Sequence, residues 1–175
     1  MKKLYILRHA KAGKSNKKIL DDHERPLTRK GLNSCKLIAA YLRENKEKPE
    51  VVICSTALRT RKTFENVFKD YLPKLKAEFE PRLYLASTAD IFSLVNETDD
   101  AVKSLMVIGH NPSLHEFSLQ LMGEGERPLV RKLKDCFPPG ALAIYEIAEK
   151  SWSDVGRKSG NLSAVVIPKN LTPED

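Results

Sequence analysis

Two arginines and two histidines stand directly behind runs of apolar residues, where polar side chains are least expected. Leu4-Tyr5-Ile6-Leu7 leads straight into Arg8-His9. Cys54-Ser55 leads on to Arg59, and Leu105-Met106-Val107-Ile108 ends in Gly109-His110, with Asn111-Pro112 behind it. A guanidinium presents forked donors that fit two oxygens of one phosphate. An imidazole with an ordinary pKa of about 6.5 is largely unprotonated near neutral pH, so one nitrogen can attack phosphorus while a carbonyl holds the other N–H. The four side chains therefore have the makings of a phosphoryl-transfer site. His9 would be the nucleophile, Arg8 and Arg59 would bind the phosphoryl oxygens, and His110 would donate to them. A phosphorylated His9 would split hydrolysis into two steps, with water completing the second.

Such a site requires that the apolar runs be strands ending at one edge of a sheet. Residues 3–8 and "PEVVICS" read as short strands, and "SLMVIG" as a strand buried on both faces. Thr28 opens a helical pattern carried by Leu32, Cys35, Ile38 or Ala39, and Leu42. A second helix is expected over 57–72, with Phe64, Val67, Phe68 and Tyr71 on one face. "AEFEPRLY" is a weaker extended segment broken by Pro81, and Ser87 to Asp90 looks like a capped start for a helix bearing Ile91, Leu94 and Val95. Asn111 is expected to cap a helix with Pro112 in its first turn and Leu114, Phe117 and Leu121 as its core stripe. "GEGERP" reads as a loop, followed by two closing strands, "ALAIYEIA" and "SAVVI". Alternating strands and helices predict an α/β three-layer sandwich with a mostly parallel central sheet, in one domain over residues 1–175. Ligands of such sheets bind beyond the carboxyl ends of the strands, where the helix after His110 would add its amide groups and positive dipole end.

Composition narrows the partners. Hydrophobic residues make up 41% and charged residues 30%, ordinary for a globular protein, and no apolar run approaches a membrane span. The start "MKKLYILRHAKAG" has too short an apolar run for a secretion signal, so the chain is expected to be cytoplasmic, with no membrane partner. A net charge of +7 favours anionic, including phosphorylated, partners. No nucleic-acid-binding signature accompanies that charge, so no nucleic-acid partner is expected. Cys35, Cys54 and Cys136 form no metal pattern with the histidines, and Cys35 and Cys54 read as buried inert thiols. His23 and His115 also lack acidic or thiol partners at zinc spacing, and His115 reads as a solvated histidine, so neither metal nor cofactor is expected. "AGKS" at 12–15 imitates the end of a nucleotide-binding P-loop, but the required first glycine is Arg8.

"LRHAKAG", "RPLTRKG", "CSTALRTRKTF" and "VIGHNPSL", in this order, resemble the histidine phosphatase superfamily, with its phosphoglycerate mutase-like fold. The short chain and its "RHAKA…DDHERPLTRKG" opening are similar to the SixA-type phosphohistidine phosphatases in particular. The resemblance implies His9 as the phosphorylated nucleophile, Arg8 and Arg59 as phosphate ligands, and His110 as the second histidine. It adds Arg25, placed like an arginine that reaches the phosphate, and the Asn111 backbone N–H. The implied partner is a phosphorylated protein or a small phosphorylated substrate.

One departure bears on the substrate. Many relatives carry a glutamate soon after the third strand, where this chain reads "PRLYLAS". Glu80, Asp22 and Glu24 are the nearby carboxylates that could supply a proton. Without a strong acid the leaving group must already be good, and the protonated imidazole of a phosphohistidine meets that need better than an alkoxide. The alternatives are a broader phosphomonoesterase or phosphoserine/phosphothreonine phosphatase of the same superfamily, and a phosphate-binding module without activity.

Overall fold

Along β1 (Lys2–Arg8), Leu4 and Ile6 point to one side of the sheet while Tyr5 and Leu7 point to the other, as the two-residue strand period dictates. All four are buried, so both sides of the sheet are covered. The computed structural model describes residues 1–14 and 21–171 and contains one seven-stranded sheet. The remaining strands are β2 (Val51–Ser55), β3 (Ala77–Glu80), β4 (Ser104–Gly109), β5 (Met122–Gly125), β6 (Leu142–Ile147) and β7 (Gly160–Val166). Their order across the sheet is β3-β2-β4-β1-β6-β7-β5. β3, β2, β4 and β1 run parallel, β6 is antiparallel to both β1 and β7, and β5 is parallel to β7.

Helices α1 (Arg29–Glu44) and α2 (Leu58–Phe68) cover one face, packing Cys35, Ile38, Leu42, Val67 and Phe68 against Tyr5, Leu7, Met106 and Ile108. Helices α3 (Thr88–Asn96), α4 (Ser113–Leu121) and α5 (Arg127–Asp135) cover the other face. The expected three-layer α/β sandwich is therefore the one observed. Cys35 and Cys54 are buried free thiols, as expected.

Local chemistry sets the helix starts. The Thr28 side chain accepts the Gly31 N–H at 3.1 Å and caps α1. Ser87 and Asp90 exchange bonds in a capping box at α3. Asn111 does not cap α4. The helix starts at Ser113 with Pro112 at the capping position, and the Asn111 side chain instead donates to the Phe137 carbonyl at 2.8 Å. Three further differences are local. α2 ends at Phe68, with Tyr71 and Leu72 held in the turn after it. Strand β5 runs into the supposed loop at 123–128, and α5 begins within it. The polar loop expected after the first strand lies partly outside the described residues, at 15–20; its ends are pinned where Gly13 N–H donates to Pro26 O at 2.9 Å.

Two glycines hold the segment behind β1. A Cβ on Gly31 would sit 2.2 Å from the Lys11 carbonyl oxygen, so only glycine lets α1 approach this closely. Gly140 has φ +81°, and its N–H donates to the carbonyls of Arg8 (3.2 Å) and His9 (2.9 Å). The substitution Gly140→Ala is expected to cost roughly 1–3 kcal/mol, through the left-handed backbone and the contact with Pro168 that a Cβ would make. Urea unfolding monitored by circular dichroism would show it as a lower midpoint with an unchanged slope. An unchanged midpoint would mean the turn relaxes freely.

Candidate active site

The register of β1 on β4 pairs Arg8 with Gly109. The residue after each is therefore a histidine emerging at the same edge, and the His9 N–H donates to the Gly109 carbonyl at 3.1 Å. The two imidazole centroids are 5.2 Å apart, with both residues buried. β2 flanks β4 on its other side, and its last residue, Ser55, places Oγ 2.7 Å from His110 Nε2. Arg59 enters from the first turn of α2 and is 7% exposed. Beyond β3, a 3-10 turn (Pro81–Leu83) delivers Tyr84, whose ring meets His110 edge-on at 5.7 Å and lies under the Arg59 guanidinium at 5.8 Å. Four adjacent parallel strands thus each deliver a side chain to one place.

The two histidines differ in what holds them. His9 Nδ1 lies 2.7 Å from the Ala10 carbonyl, which can only accept, so Nδ1 carries the proton and Nε2 bears the lone pair. Ala10 itself is fixed by its N–H bond to Thr63 Oγ1, one turn along α2 from Arg59. At His110, Ser55 Oγ accepts from the Ala57 N–H and lies 2.7 Å from Nε2, to which its hydroxyl can give its hydrogen. With Nε2 accepting, Nδ1 carries the proton, and that nitrogen is buried and without a partner among the described residues. Arg8 Nε and Arg59 Nε are buried and unpartnered in the same way. Buried donors without acceptors are rare and costly, and here three belong to the residues around one imidazole lone pair.

Burial holds both imidazoles neutral. His9 is pushed down to about 4 by loss of solvent, against the help of its Ala10 bond, and then by the charges of Arg59, Arg8 and Arg25. His110 is pushed down to about 3 by burial and then by His9, Arg59 and Arg8, with Asp22 opposing. Desolvation by burial, followed by the charge of Arg59, also lowers the pKa of Arg8.

The other expected residues sit as follows. Arg25 donates from Nε to Gly13 O at 2.7 Å and from Nη1 to Asp22 Oδ1 at 2.9 Å. Arg59 binds both the backbone oxygen of Asp22 (2.9 Å) and Oδ2 (3.3 Å). Asn111 shares the Phe137 carbonyl with Arg8 Nη1, which donates to it at 3.0 Å. Asp22 lies among these groups, and the Tyr84 hydroxyl donates to its Oδ2 at 2.5 Å. That bond first, then Arg25 and Arg59 against a burial penalty, holds the Asp22 carboxyl down at about 2. Glu80 turns instead to Arg82, and Glu24 pairs with His23 at 3.0 Å. His115 is not solvated as expected: it is half-buried, stacked on Phe137, with Nε2 donating to Leu133 O at 2.6 Å. Tyr84 and Thr63 were not anticipated as site residues. Their signals in the sequence are an aromatic just past the third strand and a threonine one helical turn beyond Arg59.

Comparison with known proteins places the chain in a family. The family model of the histidine phosphatase superfamily (branch 1) matches residues 4–84. The phosphohistidine phosphatase SixA of Escherichia coli (strain K12) is 30% identical over 127 residues, spanning 71% of this chain and 76% of that protein. An uncharacterised protein of Mycobacterium tuberculosis (strain ATCC 25618 / H37Rv) is 28% identical over 165 residues, covering 93% of this chain and all of that one. A solved structure of the protein histidine phosphatase SixA complexed with tungstate is 29% identical, with a TM-score of 0.72 over 97% of this chain and 99% of that one. The chain belongs to the histidine phosphatase superfamily and is of the SixA type. No helix among the described residues is long and apolar enough to cross a membrane.

The depressed histidines make stability pH-dependent with a definite sign. The unfolded chain takes up protons on imidazole below about 6.5, whereas folded His9 and His110 resist until about 4 and 3. Stability is therefore full above pH 7 and falls as pH drops through 6.5 towards 4. Between pH 7 and 4.5 the loss is expected to be on the order of 2 kcal/mol per histidine. Urea melts should show a smaller loss in His110→Gln than in wild type. An equal loss in both would put the acid sensitivity elsewhere.

Proposed function

We propose that this chain hydrolyses phosphohistidine on proteins through a covalent phosphohistidine intermediate at His9. The observation that carries the reading is the free Nε2 lone pair of His9 beside the unpartnered buried donors of Arg8, Arg59 and His110. In the first step Nε2 bonds to phosphorus while the bond from phosphorus to the substrate's ring nitrogen breaks. The leaving imidazole takes that electron pair and, already protonated on its other nitrogen, departs neutral. Arg8, Arg59 and His110 Nδ1–H stabilise the charge on the equatorial oxygens, with Arg25 at the rim. Because Ala10 O keeps the proton on Nδ1, phosphorylated His9 is an imidazolium and a good leaving group. Water then forms the new P–O bond as the bond from Nε2 breaks, its proton goes to solvent, and inorganic phosphate leaves.

The substrate class follows from the carboxylates. Asp22 is fully ionised at neutral pH, Glu24 is paired with His23, and Glu80 is turned to Arg82. None of the three is poised as the protonated acid that an alkyl phosphate ester needs to expel its alkoxide. A phosphoramidate with a protonated imidazole needs no such acid. No metal enters the reaction as proposed, because the arginines and the second histidine supply the charge stabilisation.

Phosphate release is expected to be faster from a phosphohistidine protein than from a phosphoserine protein or an aryl phosphate, and to vanish in His9→Ala. Release from the esters at equal or greater rate, still dependent on His9, would favour a broader phosphomonoesterase. Release from none of them would leave a binding module. Ser55→Ala removes the group that orients His110 and is expected to lower kcat on the order of tenfold to a hundredfold with little change in KM. Ser55→Thr, which keeps the hydroxyl, should recover most of the loss. A Ser55→Ala enzyme with unchanged kcat would show that the His110 tautomer needs no help.

A further inference from the structure

Beside the catalytic residues runs a groove of about 550 Å³ whose lining has a single sign of charge. Its apolar residues are Leu37 from α1, Pro138 and Pro139 from the segment before β6, and Ile167 and Pro168 after β7. Lys11, Lys30 and Lys169 stand along its margin, and no carboxylate lines it. Lys11 and Lys30 are exposed and make no ion pair among the described residues.

The groove and the site share a wall. The Phe137 carbonyl receives Arg8 and Asn111, the next two residues line the groove, and Gly140 then binds the carbonyls of Arg8 and His9. Lys11 is two residues past His9 on the same strand exit. Two consecutive prolines have fixed φ, so this wall is rigid before anything docks on it.

We propose that this groove docks an acidic, apolar-containing segment of the protein that carries the phosphohistidine, alongside the phosphorylated loop or helix. This rests on the phosphohistidine reading and extends it from the reacting group to the surface around it. The lysines confer a preference for Asp and Glu in the segment, and Leu37, Ile167 and the prolines receive its apolar side chains. A segment there lies alongside His9 rather than over it, so docking and phosphoryl transfer occur together. Lys11 and Lys30 at the margin raise the encounter rate with acidic partners and penalise basic ones.

The test uses two phosphohistidine peptides that share their apolar residues, one flanked by Asp and Glu and the other by Ser and Gly. Wild type should give a kcat/KM at least roughly tenfold higher for the acidic peptide, with the advantage falling as salt rises. Lys11→Glu/Lys30→Glu should abolish or invert the ratio, and Lys30→Glu alone should reduce it. The ratio between peptides cancels any general change in turnover. Fluorescence anisotropy of the unphosphorylated acidic peptide reads docking without catalysis. Binding by wild type that is lost in the double variant would support the groove even if neither peptide were dephosphorylated, in which case the phosphohistidine reading alone would fail. Equal kcat/KM for the two peptides, anisotropy unchanged by the double variant, or equally tight binding of a single-stranded oligonucleotide of the same charge would each overturn the proposal.

Discussion

The parallel register of β1 on β4 is the constraint from which the site is built. Pairing Arg8 with Gly109 forces the next residues, His9 and His110, out at one level, and the His9 N–H bond to Gly109 O fixes the level. A one-residue slip would send every side chain of β1 to the opposite face. Leu4 and Ile6 would trade places with Tyr5 and Leu7, and the two pairs are buried against different helix layers. The cost of that repacking ties the geometry of the candidate site to the core. β2 repeats the arrangement on the far side of β4, which is why Ser55 reaches His110 from a neighbouring strand rather than from a loop.

The charges gathered at that edge work against one another. Arg8, Arg59 and Arg25 all disfavour a protonated His9, and Arg8 is itself lowered chiefly by burial and then by Arg59. Asp22 answers them with one carboxylate shared between Arg25, Arg59 and Tyr84. It keeps two guanidinia oriented, and the same cations that hold it ionised deny it the proton a general acid would need. A positive field and two neutral histidines are then consequences of one arrangement. They suit the proposed reaction, in which an uncharged nitrogen attacks a doubly negative phosphoryl group.

Much of this was legible in the sequence because its signals are local. Apolar runs ending in Arg-His, Ser and Gly-His mark strand exits, and the alternation with helices puts those exits on one edge. What stayed hidden depends on tertiary partners. Asn111 has every local feature of a helix cap, yet the Phe137 carbonyl, distant in sequence, claims its side chain. His115 looks solvent-facing on its own helix and is taken by Leu133 O from α5. α5 itself was readable, from Pro128 in its first turn and Leu129 with Leu133 on one side, but a polar composition masked it. Strand β5 carries two glycines and no apolar alternation, and only pairing with β7 makes it a strand. Tyr84 lies in "PRLYLAS", where the lack of a carboxylate was visible in the sequence and the reach of the tyrosine hydroxyl to Asp22 was not.

The contrast between the two histidines carries the chemistry further than their proximity does. Two identical imidazoles with centroids 5.2 Å apart would have interchangeable roles if nothing distinguished their tautomers. The partners distinguish them. A carbonyl can only accept, so Ala10 O makes His9 an acceptor at Nε2. The Ser55 hydroxyl, which takes the Ala57 N–H, can also give its hydrogen to His110 Nε2, and in that tautomer His110 is a donor at Nδ1. In the proposed reaction the lone pair attacks phosphorus and the N–H meets its oxygens, and neither ring has to move a proton first. The depressed pKa values follow from the same enclosure, since a ring fixed by one neutral hydrogen bond and stripped of water has little to stabilise a second proton. In the proposed reaction the division of labour is thus set by a backbone carbonyl and a serine hydroxyl, which the strand exits put in place.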